Sequence, residues 1–214
     1  MRVRVIGLVV GLVCVCAGSA AAQTTGTTSV GGRVFGWADW QQMAAKESFE
    51  AVAGTTTATG AGGGAEIQRL WKGVFLRGAV SRMKVDGERV FVFDGAVFPL
   101  NQPLEITMTP IEVAAGWRFG AVGERLVPYV GAGALWLKYR EDGQGSTSAD
   151  RVSETYTGAV VFGGIDVSVW RFVSAGAEVA WRTAKVKDAG GVFEAFSEDN
   201  LGGISVRVML SVGR

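Results

Sequence analysis

Apolar and polar residues alternate one for one along much of this chain, most cleanly in its last segment. Ile204, Val206, Val208, Leu210 and Val212 share one face, while Ser205, Arg207, Met209 and Ser211 share the other. A period of two is the signature of a strand whose two faces meet different surroundings. The pattern recurs as Val173, Ala175, Ala177, Val179 and Trp181 against Ser174, Gly176, Glu178, Ala180 and Arg182. Over 104–119 it slips. Leu104, Ile106 and Met108 share a face, then Ile111, Val113, Ala115, Trp117 and Phe119 follow with the opposite parity. A bulge at Pro110, which has no N–H for the ladder, would return both halves to one side. The polar complement is then Glu105, Thr107, Thr109, Glu112, Gly116 and Arg118.

Eight strands are predicted, near 32–42, 62–71, 74–86, 104–119, 126–140, 152–169, 172–186 and 201–212. In the first, second, fifth and sixth the alternation is too uneven to assign an inner face. The only helical signal beyond the N-terminal segment is a weak patch over 41–52, without an apolar stripe. Connections alternate in length: short at 72–73, 120–125 and 170–171, long at 43–61, 87–103, 141–151 and 187–200. Short turns at one end and long loops at the other, joining an even number of strands, predict an all-β, antiparallel, up-and-down transmembrane barrel. Several strands reach the roughly 9–11 residues that a tilted strand needs to cross a bilayer.

The N-terminus points to the same compartment. Arg2 and Arg4 precede an apolar run over 5–17, and Ala20-Ala21-Ala22 offers a small-residue cleavage pattern. Residues 1–22 are therefore expected to be a cleaved signal peptide, and 23–214 the barrel domain. Both cysteines, Cys14 and Cys16, lie in the leader, so the exported chain is held without disulfides.

Composition excludes several chemistries. The chain has no histidine, which removes the usual general base and imidazole metal ligand, and leaves Ser174 and Ser205 unactivated. Lys and Arg number 21 against 20 Asp and Glu, giving no electrostatic basis for nucleic-acid binding. The glycine runs 60–64 and 131–133 lack the Lys-Ser/Thr of a phosphate loop. No catalytic, metal or cofactor site is expected.

The polar face collects Arg33, Arg77, Arg118, Arg182 and Arg207 with Asp39, Glu66, Glu105, Glu112, Asp166 and Glu178. In a narrow lumen these are expected to neutralise one another in a structural network. Aromatics gather at both ends of the strands. Trp71, Trp117, Phe119, Tyr129, Trp170 and Phe172 lie by the short turns; Trp40, Trp136, Tyr139, Tyr156 and Trp181 lie towards the long loops. They are expected to form two interfacial girdles. In the second long loop, Asp94-Gly95 between apolar runs is a hairpin signal. Phe91, Phe93 and Phe98 are thus a candidate contact surface above the membrane, for a partner, a lipid or a neighbouring loop. A self-packed hairpin is the competing reading. Trimming 88–101 is expected to leave the barrel folded, checked by heat-modifiable migration; loss of membrane insertion would count against it.

With these residues in place, Ala114-Ala115-Gly116-Trp117-Arg118-Phe119, a turn, Pro128-Tyr129-Val130-Gly131-Ala132-Gly133 and the closing strand over 201–212 resemble small eight-stranded outer-membrane β-barrels of the OmpA, OmpX and opacity-protein type. The resemblance spans essentially the mature chain, by pattern more than identity, and implies insertion by the outer-membrane assembly machinery of a Gram-negative envelope. The chain ends Val212-Gly213-Arg214, where such barrels usually end in an aromatic, and no C-terminal peptidoglycan-binding domain is expected. Outer-membrane lipid, the assembly machinery and an extracellular partner on the long loops are the expected contacts of a monomer. Three functions stay open: a structural or surface-interaction (adhesion or envelope) barrel, a narrow channel for ions or small solutes, and a soluble periplasmic lipocalin-like ligand-binding barrel.

Overall fold

The architecture is that of a computed structural model, which describes residues 30–93, 96–120, 124–143, 152–186 and 192–213. The leader and the Asp94-Gly95 turn fall outside them. Eight antiparallel strands close into a barrel in sequence order: β1 (Gly31–Met43), β2 (Thr57–Gln68), β3 (Val74–Phe93), β4 (Ala96–Arg118), β5 (Leu126–Gly143), β6 (Val152–Ser168), β7 (Val173–Ala184) and β8 (Gly203–Gly213). Pairing of β1 with both β2 and β8 closes the ring. Closure leaves no unpaired edge, which is what a sheet needs where no water can satisfy its backbone.

Side chains settle into two surroundings. On β8, Ile204, Val206, Val208, Leu210 and Val212 face outward, while Ser205, Arg207, Met209 and Ser211 are buried in the lumen. In β1, β3 and β5 odd-numbered residues point inward, and in β2, β4, β6 and β7 even-numbered ones do.

The bulge expected at Pro110 does not form. β4 runs in one register against β5 from Leu104 to Arg118, and the only shift against β3 lies between Glu88 and Val90. The parity change at Pro110 is therefore a change in the lumen's chemistry. Leu104, Ile106 and Met108 point inward above it, and Glu112, Ala114 and Arg118 point inward below.

Beyond the Glu88–Pro103 pair, β3 and β4 leave the barrel as a two-stranded ribbon, with Phe91 opposite Phe98 and Phe93 opposite Ala96. β2 begins at Thr57, so Thr57, Ala58 and Thr59 of the expected loop belong to a strand. Two helices lie in the loops at the same end: α1 (Lys46–Ala53) after β1 and α2 (Val192–Ala195) before β8. The left-handed Gly54 (φ 63°) closes α1, its N–H donating to the Glu50 carbonyl.

Candidate functional site

The lumen is the first place to look for chemistry, and the half nearer the short turns is charged. Arg33 bridges Glu66 (3.1 Å) and Asp166 (2.6 Å), and Arg118 reaches the same two carboxylates at 3.0 and 2.5 Å. Arg77 joins Glu66 (3.2 Å) to Glu178 (2.5 Å). Arg207 carries the chain upward from Glu178 (2.7 Å) to Glu112 (2.5 Å) and Asp39 (3.6 Å), and Arg182 pairs with Asp39 and Glu112, both at 2.9 Å. Gln41 adds its amide oxygen to Arg182. Five guanidinium groups thus meet five carboxylates in one connected, formally neutral network.

Glu105, expected in this network, is not part of it. It faces outward and accepts from Lys84 Nζ at 2.6 Å, with both side chains substantially exposed. Because no bulge intervenes, counting back by twos from the outward Ile111 places Glu105 on the outer wall. Its absence is what balances the connected network at five charges of each sign.

Rings line the cations. The Arg77 guanidinium carbon lies 4.4 Å from the Phe162 ring centre and 5.1 to 5.4 Å from those of Phe35, Tyr129 and Phe75. Arg207 lies 5.0 Å from the Trp37 ring. A weakly hydrated, delocalised cation stacks on such faces more readily than an ammonium does. The fit needs glycine. A Cβ at Gly116 would stand 2.3 Å from Phe75, and one at Gly131 2.4 Å from Phe162. Gly131→Ala is expected to cost about 1–3 kcal/mol through overpacking, measurable as a lower urea midpoint for the refolded barrel.

Tyr129 and Tyr139, expected at the membrane interface, are both luminal. Each has odd parity on β5, and each is almost fully buried. The Tyr129 hydroxyl donates to Glu178 (3.0 Å), and the Tyr139 hydroxyl donates to Glu141 (2.7 Å). Tyr156 also sits on the inner face, partly buried against the upper core. The other named aromatics, Trp40, Trp71, Trp117, Phe119, Trp136, Trp170, Phe172 and Trp181, are exposed or half-exposed outside the lumen.

Towards the long loops the lumen becomes apolar. Met43, Met83, Val85, Leu104, Ile106, Met108, Leu135 and Leu137 pack with Phe49 of α1 and Leu201. Phe49 is 2% exposed and meets Phe193 edge-on at 6.4 Å. The carboxylate of Glu198 accepts the N–H groups of Glu47 and Ser48 at 3.1 and 2.8 Å, pinning the start of α1 over the mouth. The helical patch therefore does have an apolar face (Ala45, Phe49, Val52 and Ala53), obscured in sequence by its brevity and flanking charges. At the opposite end a cavity of about 620 Å³ opens between the short turns, with Arg33, Arg118 and Asp166 among its lining.

On the outside, the ribbon exposes Phe91 (57%), Phe93 (66%) and Phe98 (50%), the first two stacked at 6.4 Å. Cross-strand register places all three on one face with Ala96.

Comparison with known proteins agrees with this architecture. The chain resembles the structure of Ail, the attachment invasion locus protein of Yersinia pestis, at 11% identity and a TM-score of 0.51, covering 86% of this chain and 98% of Ail. It resembles Neisserial surface protein A at 13% identity and a TM-score of 0.51, over 86% of this chain and 96% of that one. No curated protein sequence matches it. The profile of the outer membrane protein β-barrel domain matches residues 7–211. A closed eight-strand barrel with an apolar outer wall belongs in the outer membrane, and the chain is a member of the outer membrane protein β-barrel domain family.

Proposed function

We propose that this barrel is a closed, non-catalytic anchor, acting as a monomer, whose work is done by surface contact at its long-loop end. The observation that carries the reading is the β3–β4 ribbon. It extends beyond the barrel and leaves Phe91, Phe93 and Phe98 uncovered on one face. Exposed apolar faces of this kind are costly in water and mark contact sites. A lumen filled by paired charges and capped by Phe49 favours this role over transport. The Ail structure was solved in complex with the heparin analogue sucrose octasulfate, so a similar barrel presents a ligand-binding surface.

The test is a whole-cell binding comparison between the native chain and a Phe91→Ser/Phe93→Ser/Phe98→Ser variant, against host-cell surfaces and extracellular-matrix proteins. The variant is expected to reach the outer membrane in equal amount, with heat-modifiable migration unchanged, and to bind at least several-fold less. Equal binding by both proteins would refute the assignment of the contact surface to the ribbon.

A further inference from the structure

The strands carry ten Lys and Arg among their described residues. Five make the luminal network and Arg89 lies on the ribbon. The remaining four, Arg82 and Lys84 on β3 with Lys138 and Arg140 on β5, all point outward and are all exposed. Register brings them together across β4. Thr109 pairs with Lys138, which pairs with Thr155; Lys84 pairs with Thr107, Thr107 with Arg140 and Arg140 with Ser153. Arg82, opposite Ala61 on β2, lies one outward step below Lys84, level with Thr109. Successive outward rows stand about 7 Å apart, and cations on β3 and β5 about 10 Å apart across one intervening strand.

The order of these rows along the wall is informative. The row just below the cations holds Val80, Ile111, Trp136 and Thr157. Two rows of cations and hydroxyls follow it, and a row with Asp86, Glu105 and Asp142 comes last, towards the loops. A Trp at the upper limit of an apolar wall marks the headgroup level. Cations one and two steps beyond it lie where lipid phosphates lie. Lys84 is shared with Glu105 (2.6 Å), whereas Arg82, Lys138 and Arg140 form no salt bridge among the described residues. Among the described residues, no other strand carries an outward-facing Lys or Arg. The charge therefore belongs to one side of the barrel.

We propose that the outer wall of β3–β5 is a binding site for a phosphorylated lipid headgroup of the outer leaflet. Arg82, Lys138 and Arg140 contact the phosphates, and the Thr109 and Thr155 hydroxyls donate between them. The row of Asp86, Glu105 and Asp142 bounds the site on its loop side, so the site is reached from the membrane side. Arginine supports this use because its fork matches phosphate oxygens in pairs.

The experiment titrates bisphosphorylated lipid A into the refolded full chain in zwitterionic micelles and reads adduct formation by native mass spectrometry. The unaltered barrel is expected to bind lipid A more weakly as salt rises, and to bind dephosphorylated lipid A poorly. An Arg82→Gln/Lys138→Gln/Arg140→Gln variant should lose at least about tenfold in affinity. A Lys46→Gln/Lys185→Gln control, which removes cations away from this wall, should not change it. Should the triple variant fail the heat-modifiability check for folding, Lys138→Gln/Arg140→Gln serves in its place. Equal lipid A binding by variant and native chain overturns the proposal. So does equal binding of the dephosphorylated lipid, and so does displacement of lipid A by a soluble sulfated oligosaccharide at comparable concentration, which would make the wall a receptor for glycans in solution.

Discussion

Arg207→Ala is expected to lower the unfolding free energy of the refolded barrel by about 3–5 kcal/mol, the range for removing one partner from a buried ion pair. Arg207 is 1% exposed and contacts Asp39, Glu112 and Glu178. Truncation leaves four guanidinium groups facing five carboxylates, and the three around Arg207 are almost fully buried. Glu112→Ala creates the opposite imbalance, since Arg182 and Arg207 both depend on it. The double variant restores neutrality while Arg182 keeps Asp39. It should therefore be less destabilised than the sum of the singles, by about 0.5–3 kcal/mol. Urea unfolding in micelles measures all three. Additive losses would mean that the charges act separately and that the network is an accident of geometry.

Leu135→Ala is expected to cost about 2–5 kcal/mol by the same measurement. Leu135 is 1% exposed in the apolar upper lumen, and its neighbours are held in place by the closed strand ring, so little can move into the space. Ile204→Ala on the outer wall removes as many carbons from a residue that is 55% exposed to the barrel's surroundings. Lipid fills that gap, leaving only the transfer part of the loss, so Ile204→Ala should be clearly the milder of the two. Equal costs would show that the upper lumen is not a packed core.

Much of the fold was legible because alternation reports directly on the two faces of a strand. In β7 and β8 it identified the inward residues, Glu178, Arg182 and Arg207 among them, without ambiguity. It misleads at Pro110, where the lumen turns from polar to apolar within one strand. Leu104, Ile106 and Met108 are inward apolar residues, and forcing them outward placed Glu105 inside. Tyr129 and Tyr139 were misplaced for a related reason: position along a strand gives height, and only parity gives the face. On β5 the inward residues include Tyr129, Gly131, Gly133 and Leu135, which read as no polar series at all. The aromatic box around Arg77 draws on β1, β3, β5 and β6, and such a meeting needs strand register that a sequence does not display. The outer cation rows were hidden in the same way until register set β3 beside β5 across β4.

Closure of the lumen separates an anchor from a pore. Single-molecule recording in planar bilayers tests it most directly. The refolded native chain should insert, as judged by its heat-modifiable migration, and produce no resolved conductance steps in molar salt. Reproducible ohmic steps from the native protein, abolished when it is unfolded before addition, would show a continuous water path through the charged network and make the barrel a pore.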